Sequence, residues 1–153
     1  MKCLVDTNIL IDYYQNRIPF AEPAELLLAL GMLKELDLWM SSFQITDTYF
    51  ILSEGGKRSF ASEARGAIKS ARKCVRVCAI GGQEIDAALD SPWEDFEDAC
   101  VYQAALKVKA DAIVTRNKTD FVRSSINVFD CDELFAYLKQ EKGLDYGSIN
   151  LQE

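Results

Sequence analysis

Short apolar runs that stop at a polar residue and give way to a helical pattern recur along this chain, and they restrict its fold more than any other feature. Cys3-Leu4-Val5 stops at Asp6, Leu38-Trp39-Met40 at Ser41-Ser42, and Asp111-Ala112-Ile113-Val114 at Thr115. Cys74-Val75-Arg76-Val77-Cys78 alternates like a strand, and Asn127-Val128-Phe129 supplies a fifth. Between them lie helical patterns: Thr7 onward, about Pro23 to Leu36, Ile45 to Leu52, Ser62 to Arg72, Glu84 to Leu89, Glu94 through Val108, and a last one through Leu134 and Leu138. Strands separated by helices pair in parallel, with helices covering both faces of the sheet. The expected fold is therefore α/β, a three-layer α/β/α sandwich around a mainly parallel, about five-stranded central sheet. With 153 residues, one domain over 1–140 and a polar tail over 141–153 are expected.

In a parallel sheet all strand C-termini share one edge, where open α/β folds place their ligands. Asp6, Asn117 and Asp120 follow strands directly. Asp47 is expected near the start of the helix after the second strand, and Asp98 near the start of the helix leading into the fourth. Each has a plainer reading: Asp6 as an N-cap, Asp95 and Asp98 as a capping pair placed at a helix dipole. Four acids among the five residues from Glu94 to Asp98 nevertheless exceed what a cap needs.

Composition narrows the chemistry. The chain contains no histidine, which removes histidine-based nucleophilic or acid–base catalysis and histidine-ligated zinc. Its five cysteines are scattered without a second close pair and read as inert core thiols. Gly55-Gly56-Lys57-Arg58-Ser59 is a turn rather than a phosphate loop, because Arg58 stands where Ser or Thr must follow the lysine. Carboxylates remain. Two of them about 4 Å apart in a protein environment repel by roughly 4 kcal/mol, so a cluster calls for a cation. Oxygen donors select a hard one, Mg²⁺ or Mn²⁺, and ions so held stabilise the oxygens of phosphodiester hydrolysis. The net charge of −7 argues against nonspecific nucleic-acid binding but not against an enzyme whose acids surround cations.

Leu4-Val5-Asp6-Thr7-Asn8, Asp47, Glu97-Asp98-Ala99 and Thr115-Arg116-Asn117-Lys118-Thr119-Asp120-Phe121 together resemble the PIN domain, most of all its small bacterial VapC-like ribonucleases. The likeness runs from about Lys2 to Leu138. It implies an endonuclease for single-stranded RNA using Mg²⁺ or Mn²⁺, with Asp6, Asp47, Asp98 and Asp120 as the catalytic acids. By position Asp6 is the central metal ligand, Asp98 shares it, Asp120 is the distal acid, and Asn8 and Thr115 orient the cluster. Two residues depart from the usual pattern. Asp47 stands where many members carry glutamate, so that its shorter arm reaches an ion through water. Asn117 stands where many carry aspartate; its amide oxygen still ligates a metal, with one negative charge fewer, which favours one resting ion over two.

The resemblance also implies an antitoxin protein as partner. Arg116, Lys118 and the strip Arg65/Lys69/Arg72 are candidate contacts for the RNA backbone, the strip reading otherwise as a solvated helix face. The aromatic and leucine content of the first two helices points to a homodimer. The acid at position 6 interrupts any signal-like apolar run, and no segment is long enough to span a bilayer, so a cytoplasmic protein is expected. The alternative function is a PIN-like module that binds RNA or protein without cleaving. A phosphoacceptor regulator is set aside, because the middle strand leads into Ala79-Ile80-Gly81 and not a phosphorylatable aspartate.

Overall fold

A computed structural model describes residues 1–146. The strands are β1 (Lys2–Val5), β2 (Asp37–Ser41), β3 (Val75–Cys78), β4 (Ala112–Val114) and β5 (Asn127–Phe129). The helices are α1 (Thr7–Tyr14), α2 (Ala21–Met32), α3 (Ser42–Leu52), α4 (Ala61–Ala71), α5 (Gly82–Leu89), α6 (Phe96–Val108) and α7 (Cys131–Lys142). All five strands pair in parallel in the order β3-β2-β1-β4-β5. The chain therefore builds outward from β1 in one direction, through β2 and β3, and then returns to β1's other side with β4 and β5. The crevice between β1 and β4 is the switch point at which such sheets open a binding site.

Successive residues of a strand face opposite ways, and β1 divides the core accordingly. Cys3 and Val5 face the larger core, with Leu10 of α1, Leu27 and Leu30 of α2, and Leu134 and Leu138 of α7. Leu4 faces the other side, with Val101, Ala104 and Ala105 of α6, and with Ile113 and Phe121. Helices thus cover both faces, giving the expected three layers. The thiols are free; Cys3, Cys78, Cys100 and Cys131 are buried and Cys74 half-buried. Burial, foremost, pushes Cys3 and Cys131 up to about 12, far from thiolate chemistry.

Two boundaries differ from expectation for local reasons. α2 stops at Met32 rather than Leu36, because Lys34 turns left-handed at φ 62° and ends the helix without a glycine. At the other end α7 continues through Lys142 to Gly143 at φ 66°. Leu144 then bonds back to the Leu138 carbonyl, and Tyr146 is buried against the larger core with its hydroxyl donating to Glu35. The remainder of the expected tail, 147–153, lies outside the described residues. No helix among the described residues is long and apolar enough to cross a membrane.

Candidate active site

Asp6 ends β1 and caps α1, its Oδ1 accepting from the Thr7 amide at 2.7 Å. The strand end is pinned from both sides: the Asp6 amide donates to Val114 of β4, and the Val5 carbonyl accepts from Gln44 Nε2 at 3.0 Å. Gln44 is itself held by a reciprocal cap with Ser41 at the start of α3. The other carboxylate oxygen, Oδ2, accepts from Asn8 Nδ2 and from Thr115 Oγ1, each at 2.7 Å. Thr115 is fully buried, and its hydroxyl also accepts from Asn8 and from the Asn117 amide at 3.0 Å. The Arg116 amide completes the mesh by donating to Asn8 Oδ1 at 3.3 Å. One threonine thus fixes the first acid and the direction in which the chain leaves β4.

The second acidic element is the start of α6. Asp95 is its N-cap, accepting from the amides of Glu97 and Asp98 at 2.8 and 3.2 Å. This cap sets Glu97 and Asp98 in the first turn. The third is the 3-10 turn Lys118–Phe121, which presents Asp120 and is anchored by buried Phe121 against the edge of Trp93. Asp6, Asn8, Asp95, Glu97, Asp98, Asn117 and Asp120 all line one open cleft of about 300 Å³. Connectivity does bring the strand-end acids together.

Their electrostatics are unfavourable. Burial, above all, holds Asp6 above the usual carboxylate range, although hydrogen bonds from Thr115 and Thr7 oppose it. Asp98 is pushed up to about 7 by burial and then by the charges of Asp95, Asp6, Asp120 and Glu97. Glu97 is raised by burial and by Asp47, Asp6 and Asp95. Arg17, reaching over from the link between α1 and α2, is the one cation lining the cleft among the described residues.

These groups suit a hard divalent cation by donor type and by the repulsion it would relieve. As placed they are a loose ring and not a closed shell: among the described residues no three acidic or thiol side chains stand at metal-ligand spacing.

Asp47 and the two candidate RNA contacts stand apart from the cleft. Asp47 is the sixth residue of α3, more than a turn beyond the strand end, and does not line the cleft; its charge reaches the cleft through Glu97. Arg116 turns to Asp12, a fully buried acid of α1, at 2.7 Å and lies over the Phe20 ring at 4.7 Å. Lys118 is shared between Glu133 and Asp130 at the start of α7. Both cations have partners within the chain. Conversely, Glu97 and Asp95 belong to the cleft lining, which the run of acids before α6 already hinted at. Arg17 gave no local signal, being part of a segment that reads only as a helix break.

A family model described as PIN domain matches residues 2–119, most of the chain and every strand but the last. The chain belongs to the PIN domain family. Ribonuclease VapC1 of Aquifex aeolicus (strain VF5) is 26% identical over 137 residues, which span 86% of this chain and 92% of the relative. Among solved structures, VapBC2 from Rickettsia felis, bound to a DNA fragment from its promoter, shares the fold with a TM-score of 0.61 at 15% identity. That match covers 85% of this chain and 98% of the other. VapBC-1 from nontypeable Haemophilus influenzae matches equally well, with a TM-score of 0.61 at 19% identity over 86% and 99% of the two chains.

Proposed function

We propose that this PIN domain is a metal-dependent endoribonuclease that hydrolyses single-stranded RNA, acting as the toxin of a toxin–antitoxin pair. The observation that carries this reading is the convergence of Asp6, Asp98, Asn117 and Asp120 at the β1–β4 switch point, with Asp98 pushed up to about 7 by burial and then by the neighbouring acids. The ribonuclease relative and the VapBC structures support the substrate class and a dedicated protein partner.

Asp6, Asp98, Asn117 and Asp120 would hold Mg²⁺ or Mn²⁺, which when bound neutralises the acids and acidifies water for attack on phosphorus. The chain's own residues do the rest. Thr115 and Asn8, which donate to Asp6 Oδ2, leave that carboxylate one fixed orientation. With Asp6 preorganised in this way, less reorganisation is needed when a phosphodiester arrives. Arg17 at the cleft lining offsets the charge of an incoming phosphate.

The test is cleavage of labelled single-stranded RNA with Mn²⁺ or Mg²⁺, comparing wild type with Asp6→Asn and Asp98→Asn. Both variants should lose cleavage while remaining folded, and wild-type rates in both would overturn the assignment. A non-cleaving RNA-binding module is the second reading. It is favoured by the loose spacing of the acids and by the neutral amide of Asn117. It would be supported by a protein that Mn²⁺ stabilises against heat yet that cuts none of several RNAs.

A further inference from the structure

A nuclease must hold a polyanion, yet the cleft's lining is acidic and Arg116 and Lys118 are taken up by Asp12, Asp130 and Glu133. The missing positive charge is concentrated elsewhere. Between Lys57 and Arg76 the chain carries seven basic residues and a single acid, Glu63. That is a net of +6 inside a chain whose total is −7, so everything outside this segment sums to −13.

The charge is also ordered in space. Arg65, Lys69 and Arg72 follow one another at helical spacing along one face of α4, and all three are exposed. The row runs off the helix end into a recess of about 370 Å³ lined by Arg72, Lys73, Arg76 and Lys34 and by one acid, Asp37. Its floor is formed where the last turn of α2 meets the entry to β3. Gly31 permits that approach, since a Cβ there would lie 2.6 Å from Leu38 Cδ1 and 2.8 Å from the Cys74 carbonyl oxygen. Part of this charge is used structurally, since Arg72 donates to the Val75 carbonyl and Arg76 pairs with Asp37 at 3.5 Å. Arg65, Lys69, Lys73 and Lys34 have no acid partner among the described residues, in a chain where acids outnumber bases by 24 to 17.

We propose that the strip Arg65–Lys69–Lys73, continued by Lys34 into the recess, binds the phosphodiester backbone of single-stranded RNA. The proposal rests on the ribonuclease reading for its substrate. α4 packs on α3, whose Ile51 lines the acidic cleft, whereas the recess lies at the starts of β2 and β3 on the opposite edge of the sheet, so a strand reaching from cleft to recess must run along α4. Phosphate contacts hold the RNA while carrying no base information, and they make binding depend on salt.

The experiment compares Arg65→Gln/Lys69→Gln/Lys73→Gln with a charge-matched control, Arg123→Gln/Lys139→Gln/Lys142→Gln. Arg72 and Arg76 are left in place to spare their structural bonds, and thermal melts confirm that both variants fold. Binding of labelled oligouridylate by full-length protein carrying Asp6→Asn is followed by anisotropy across a range of KCl. The strip variant should bind more weakly, with a log–log salt slope shallower by roughly 0.7 for each lost phosphate contact, while the control keeps the parental slope. In the cleaving protein the same variant should raise KM and leave kcat. Equal slopes and affinities for strip and control variants would overturn the proposal, as would wild-type protein that binds no oligouridylate at low salt. So would a strip variant that retains RNA but loses only an acidic protein partner. Strip-dependent RNA binding without any cleavage would uphold the strip and overturn the nuclease reading instead.

Discussion

Thr115 contributes more to the site than its size suggests, because a single buried hydroxyl serves Asp6, Asn8 and the Asn117 amide. Thr115→Val keeps the shape and removes all three contacts. It should cost on the order of 1–3 kcal/mol in urea unfolding, since buried polar groups are left unpaired, and should lower cleavage as Asp6 loosens. Asp98 gives the opposite prediction for stability. Its folded-state value near 7 lies above its ordinary 3.8, so between about pH 4 and 7 the folded protein binds more protons than the unfolded chain. Stability from this group is then full below about pH 4 and is lost as pH rises toward 7. In EDTA the melting temperature should fall across that window, and Asp98→Asn should flatten the fall while abolishing cleavage. A wild-type profile that is level from pH 4 to 7 would contradict the proposed crowding of acids. At this scale the sequence was partly legible. Residues that follow a strand end, Asp6, Asn117 and Asp120, could be placed at the cleft from order alone. Asp47, more than a turn into its helix, could not.

The fate of Arg116 belongs to the scale of elements, because its partner Asp12 sits on α1, 104 residues away in the chain. Nothing local to Thr115-Arg116-Asn117 announces that pairing, and the same holds for Lys118 and the start of α7. The Asp12 side chain is fully buried and raised by that burial, against the pull of Arg116 and Arg17; its second oxygen meets no partner among the described residues. Arg116→Met would leave the carboxylate with Arg17 alone, at 3.8 Å. Loss of one member of such a pair costs about 3–5 kcal/mol, and chemical denaturation should register it. Asp12→Asn in the same background should recover part of the loss. Gly31→Ala tests the contact between α2 and β3 beneath the basic recess: the added methyl meets backbone as well as side chain and should destabilise by about 1–3 kcal/mol. Strand and helix order could be read from periodicity, which needs only neighbours in sequence. Helix ends could not be read where, as at Lys34, the left-handed residue is not glycine.

For the molecule as a whole, the acids of the cleft and the cations between Lys57 and Arg76 make a strongly polar charge distribution around a neutral core. Mn²⁺ should raise the melting temperature most at pH 7 and above, where the cleft acids are ionised, and least near pH 4; calorimetry at both values checks the difference. The sheet order has a further consequence, for the timing of synthesis. The threonine that orients Asp6 lies 109 positions after it, and β1 pairs with β4 only after β2, β3 and six helices have been made. Loop closure over such a distance is slow and must await the late segment. A nascent or prematurely released chain ending before β4 therefore carries Asp6 and the acids of α6 without Thr115, Asn117 and Asp120 to orient and complete the cleft. The first acid of the cleft can thus be locked in place only after β4 and the residue that follows it have been made.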